Sequence, residues 1–170
     1  MTLALLILLL AGCRRDDMPT PDMSIGLQIP GKSFRFAAPS STGIANAYMI
    51  GSNQDQLSIV MDDGEGYSCE IHLLQTDMLN RNFPFTLSDT SALAYGELQL
   101  RDNTRRVDTL FGPNDDINFA GYTHRGLVIE LTSFQNNILV GTVSGPIATG
   151  AGRQVVIGSG DFRVLIEIRR

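Results

Sequence analysis

The chain is 170 residues long, has a formal charge of −5 and is 18% charged and 43% hydrophobic. Every basic residue except Lys32 is an arginine, and the arginines are scattered. No basic stripe forms, which argues against a nucleic-acid partner. Two cysteines, Cys13 and Cys69, are too few for a disulfide-stapled scaffold, and the length suits a single domain of ordinary size.

Leu3 to Ala11 is apolar throughout. As a helix, about nine residues rise roughly 14 Å, half of a hydrocarbon core near 30 Å, so the run does not span a bilayer. Its length matches the apolar region of a secretory signal peptide. Leu10-Ala11-Gly12-Cys13 follows at once and resembles the lipobox of bacterial lipoproteins, although no Lys or Arg precedes the apolar run. The resemblance implies a signal peptide over 1–12, removed at maturation. It also implies that Cys13 is the lipid-attachment residue and the first residue of the mature chain. Two or more acyl chains hold a protein stably at a membrane, where one chain binds only marginally.

Arg14-Arg15-Asp16-Asp17 resembles the charged export signal beside the cysteine in lipoproteins of Bacteroidota. It implies an outer-membrane anchor, with display on the cell surface and a periplasm-facing anchor both open. Pro19 and Pro21 among polar residues make 13–23 an extended tether. From 24 to 170 the pattern predicts one β-domain.

Ser33–Ala37 and Gln56–Met61 alternate polar and apolar residues, and Tyr48–Gly51 runs into a turn at Ser52–Asp55. Asp62-Asp63-Gly64-Glu65-Gly66 predicts a second turn, and its carboxylates are candidate Ca²⁺ ligands, as are Asn114-Asp115-Asp116. Neither follows EF-hand spacing, and acidic turns at strand ends are ordinary. In the next strand Cys69 shares a face with Tyr67, Ile71 and Leu73, whereas His72 points to the other side. The expectation for Cys69 is a core thiol.

Thr76–Asn82 is the one stretch with helical character. Further strands are predicted at Ala94–Arg101, Asn118–Tyr122, Leu127–Phe134, Ile138–Ser144, Gln154–Ile157 and Asp161–Ile168. The last places Phe162, Val164, Ile166 and Ile168 on one face and Arg163, Glu167 and Arg169 on the other, the mark of an antiparallel sheet with one wet side. About ten short strands predict an all-β fold, an antiparallel β-sandwich of jelly-roll or Greek-key type.

Gly126–Thr132, the Asn136-Asn137 turn, Leu139–Gly145 and Val155–Val164 together resemble the C-terminal half of small Bacteroidota lipoproteins built on a domain of unknown function. Val143 stands where that pattern carries an aromatic residue. The resemblance covers roughly the last 45 residues and implies fold and envelope location, with no activity attached.

Catalytic motifs are sparse. Gly150-Ala151-Gly152-Arg153 leads into a strand, whereas a phosphate cradle needs a helix N-terminus. No G-x-S-x-G motif accompanies His124, two histidines (His72 and His124) do not build a zinc site, and Glu70 and Glu130 read as outward strand residues. Trp is absent, and the tyrosines lie on strands instead of loop tips, which weakens a carbohydrate-binding module. The expectation is therefore a lipid-anchored envelope protein with a non-catalytic binding or assembly domain, no metal and no cofactor. Its partners would be the membrane, through the lipid on Cys13, and an envelope protein or a glycan. A glycan-utilisation accessory protein, a hydrolase and a carrier of an apolar ligand remain alternatives.

Overall fold

The structure is a computed structural model that describes residues 23–38, 45–50, 55–64, 66–87, 94–102, 118–150 and 152–168. The expected signal peptide, Cys13, the expected tether up to residue 22, the turn at 51–54 and the Asn114–Asp116 cluster lie outside the described residues.

Period-two alternation of apolar side chains carries through almost every element, and the fold is all-β. The strands are β1 (Met23–Ile29), β2 (Lys32–Ala38), β3 (Ala45–Ile50), β4 (Gln56–Asp62), β5 (Tyr67–Gln75) and β6 (Phe85–Leu87). After these come β7 (Ala94–Asp102), β8 (Asn118–Tyr122), β9 (Val128–Gln135), β10 (Ile138–Thr149), β11 (Gln154–Leu165) and β12 (Glu167–Ile168). Short 3-10 turns occupy Met78–Asn80 and Thr123–Arg125. The stretch at 76–82 is thus a single tight turn, with Asp77 in the left-handed region, and not a helix.

The strands join in the order β12-β3-β4-β5-β7-β8-β10-β11-β1-β2, with β9 against β10 and β6 against β9. All pairings are antiparallel except β12 with β3. Because β12 continues the chain of β11 and yet pairs with the far end of the path, the sheet nearly closes on itself. Ile166 sits between the two pieces, buried, with its N–H donated to the Asn137 carbonyl at 2.7 Å.

Two strand ends differ from the pattern in the sequence. Gly158-Ser159-Gly160 reads as a loop, yet it lies inside the continuous β11. A Cβ on Gly160 would come within 2.6 Å of Val143 Cγ1, so this glycine serves close strand packing instead of a turn. β10 runs past Ser144 to Thr149 through Gly145, whose φ of 115° and register shift against β11 mark a bulge. The bulge bends β10 so that its first half pairs with β9 and its end with β8. The Asn136-Asn137 turn appears as read: both residues have positive φ, as a two-residue hairpin requires.

Inward-facing residues from all sides fill the interior, among them Ile25, Leu27, Phe36, Ile59, Met61, Ile71, Phe119, Leu139 and Phe162. Cys69 belongs to this core with no exposure, beside Ile71 and Leu73. Burial pushes its thiol well above the ordinary value, with the Glu70 charge adding to the effect, so it stays a protonated apolar filler. Lys32 donates to the Tyr67 hydroxyl at 2.8 Å and lies over the Phe34 and Tyr67 rings.

Candidate functional site

The outer face of β4, β5, β7 and β8 carries the polar half of each alternation. Register places Ser58 opposite His72, His72 opposite Glu97, and Glu97 opposite Tyr122, giving one row across four strands. In the adjoining row Glu70 faces Gln99, and Leu74 faces Tyr95 on the far side. Residues two apart on a strand share a face, so these rows meet along the strands as well as across them.

A continuous chain of hydrogen bonds links them. The Tyr95 hydroxyl donates to Glu97 Oε2 at 2.7 Å, and Gln99 Nε2 donates to Glu97 Oε1. Arg101 donates to Gln99 Oε1 and pairs with Glu70 Oε1 at 3.3 Å. His72 Nε2 lies 3.2 Å from Glu70 Oε2, and Ser58 Oγ lies 3.2 Å from His72 Nδ1. A carboxylate only accepts, so the His72 nitrogen facing Glu70 carries the proton. In the neutral ring Nδ1 is then an acceptor, and the Ser58 hydroxyl donates to it. Every proton in the chain is thereby assigned a direction, and Ser58 Oγ keeps its lone pairs for a further partner.

Both ends of this chain reach the same groove. A cavity of about 370 Å³ is lined by Gln56, Leu57, Ser58, His72, Leu73, Leu74 and Tyr95. Its volume lies within the range of roughly 300–1,000 Å³ typical of small-molecule sites. Leu74 and Tyr95 give it an apolar side and Gln56, Ser58 and His72 a polar one, while Leu57 and Leu73 turn their side chains to the core. Tyr95 has its phenol raised above the ordinary value, first by burial and then by the hydrogen bond to Glu97, so it remains a donor to that carboxylate. Beyond Tyr95 the Tyr122 and His124 rings continue the surface, with centroids 6.3 Å and 6.3 Å from Tyr95 and 5.3 Å from one another. The Arg125 guanidinium lies over the Tyr122 ring at 5.4 Å.

The residues singled out in the sequence divide accordingly. Glu70 and His72 belong to the network, so the pairing sought around His124 exists instead around His72, with Ser58 as the third member. His124 is exposed and makes ring contacts to Tyr95 and Tyr122. Glu130 lies on β9, opposite Thr142 and Thr86, and is not brought to Glu70. In the acidic turn, Asp62 Oδ1 accepts from Gly64 N at 3.0 Å, and Asp63 Oδ1 accepts from Gly66 N and Tyr67 N. These carboxylates hold the turn in shape. Among the described residues no group of three or more His, Cys, Asp or Glu side chains is placed to hold a metal ion. Gly152 closes the β10–β11 hairpin, where its N–H reaches the Thr149 carbonyl and Arg153 N reaches Thr149 Oγ1.

Sequence reasoning passed over Ser58, Glu97 and Gln99. A signal for Ser58 was present: from the Asp62–Ser68 pair, counting four residues back along β4 and four forward along β5 brings Ser58 opposite His72. No family model matches the chain, and no curated protein or solved structure matches it either.

Proposed function

We propose that this is a lipid-anchored cell-envelope protein whose β-domain works by binding and not by catalysis. The address rests on one observation: Leu10-Ala11-Gly12-Cys13 directly follows an apolar run of signal-peptide length. In this reading Cys13 carries the lipid, 13–23 is the tether, and the charged block after Cys13 directs the protein to the outer membrane with the domain displayed at the cell surface.

The binding reading is supported by the groove over β4, β5 and β7, whose walls are pre-set by a hydrogen-bonded network. Fixing the walls before a ligand arrives lowers the ordering cost of binding. The Ser58–His72–Glu70 chain superficially suggests acyl transfer. Ser58, however, lies in the middle of β4, between the ladders to β3 and β5. An oxyanion needs free donors aimed at it, and ladder amides are already engaged. The geometry suits holding a ligand better than stabilising a tetrahedral intermediate.

The anchor is tested with Cys13→Ser. The variant should leave the membrane fraction and fail to incorporate labelled palmitate; if it still sediments with the outer membrane, the lipoprotein reading fails. Surface display predicts that protease added to intact cells removes the domain.

A further inference from the structure

The chemistry of the groove narrows the class of ligand, given the reading that the domain binds. One wall is the Tyr95 ring with Leu74 opposite it in register, while Gln56, Ser58 and His72 form the polar side. Apart from the Gln56 amide at the rim, the donors closest to the groove are already directed elsewhere. His72 Nε2 faces Glu70, the Tyr95 hydroxyl faces Glu97, and Arg101 faces Glu70 and Gln99. What Ser58 Oγ offers inward is therefore an acceptor.

An anion would find no cation facing it and only the neutral Gln56 amide as a rim donor, beside two carboxylates with one guanidinium between them. A purely apolar occupant would cover the Ser58 oxygen and leave it unmatched by any new donor. A neutral polyol ring answers both demands. It has a C–H face for an aromatic and aliphatic wall, and hydroxyls that donate at its rim. We propose that this groove is a saccharide subsite, with a neutral pyranose ring packed on Tyr95 and a sugar hydroxyl donating to Ser58 Oγ. Tyr122 and His124 extend the aromatic surface beyond Tyr95, in line for a second sugar unit. Glu97 acts as a positioning residue, because it fixes the Tyr95 ring through the phenol.

The test uses the full chain in a polyoxyethylene detergent, which has no sugar head group. Saturation-transfer NMR is run with the methyl glycosides of glucose, galactose, mannose and N-acetylglucosamine. At least one should receive saturation on its ring C–H protons. Tyr95→Ala and Ser58→Ala should each weaken that binding about tenfold or more. Tyr95→Phe should retain more of it than Tyr95→Ala, because the ring remains. Val128→Ala, on the distant strand β9, should leave it unchanged, and melting curves of all variants show that they are folded. Benzyl alcohol, a ring without a polyol, is titrated in parallel. If it binds at Tyr95 and no glycoside does, the saccharide assignment is overturned while the binding reading survives. If neither binds, both fall. Equal loss in Tyr95→Phe and Tyr95→Ala would overturn the stacking role.

Discussion

Gly141→Ala is a direct measure of how tightly the strands around β10 are packed. Gly141 faces Phe162 across the β10–β11 ladder, and the Phe162 ring lies over the bare glycine backbone. A Cβ there would meet Phe162 Cζ at 2.3 Å, Phe162 Cε1 at 2.7 Å and the Glu130 carbonyl oxygen at 2.6 Å. The ring is 1% exposed and has no open space to swing into, and the carbonyl belongs to the neighbouring strand β9. One added methyl therefore presses on two ladders at once. Overpacking typically costs about 1–3 kcal/mol, against which a Gly→Ala exchange recovers about 0.4–1 kcal/mol from the unfolded chain. With a backbone atom among the obstacles, a net loss of about 2 kcal/mol is expected. For a domain of this size that lowers the melting temperature by roughly 4–8 °C. Thermal unfolding of residues 23–170, followed by far-UV circular dichroism, reads it. Phe162→Leu removes the two ring atoms in conflict, so the double variant should lose less than the two single losses added together. An unchanged or raised melting temperature in Gly141→Ala, or strict additivity, would refute this account of the packing.

Other perturbations probe separate parts of the molecule. Ile166→Ala removes a buried side chain at the junction of β11 and β12 and should cost about 2–5 kcal/mol in urea unfolding; a loss below 1 kcal/mol would mean that the junction carries no core packing. Cys69 should resist iodoacetamide in the folded domain and react once urea unfolds it; alkylation at the native rate of a free thiol would contradict its burial. Since its folded pKa lies above the unfolded one, the folded state keeps a proton that the unfolded state releases. Its stabilising contribution is thus complete at neutral pH and declines as pH rises through the unfolded value near 9, which melts at graded alkaline pH would detect when compared with Cys69→Ala. Asp63→Ala leaves the Gly66 and Tyr67 amides without their acceptor and should destabilise by about 1–3 kcal/mol, whereas added Ca²⁺ should leave the melting temperature of the parent unchanged.

Where a feature depends on local alternation, the sequence already contains it. Phe162, Val164 and Ile166 fall on the buried face as their spacing requires, and Asn118–Tyr122 has the same limits in both readings. Met23–Ile29 alternates as cleanly as any strand, but it starts two residues after Pro21, at the end of the expected tether, and it is not among the predicted strands. Phe85–Leu87 is too short to show a period. Glycine was the main source of error inside strands. Gly160 resembles a loop residue in one dimension and proves to be a packing residue only once Val143 and Leu27 stand against it. The outer-face site depends on register. Ser58 and His72 share a hairpin, so their meeting was within reach of counting. Tyr95 and Glu97 arrive from β7, after a long connection whose register no local pattern specifies.

The near-closure of the sheet also bears on when this chain can fold. Ser24 lies across from Arg163, and β3 finds β12 only among the last strands. Until those late residues are present, β1 has only its hairpin partner β2, and β3 only β4. Contacts this distant in sequence form slowly, because loop-closure entropy must be overcome before they contribute. A partly emerged chain can pair β3, β4, β5, β7 and β8 in chain order, but that sheet keeps both edges open until the last strands arrive. Closure of the sheet is thus one late event, in which β12 reaches the β3 edge and β11 takes up the β1–β2 hairpin.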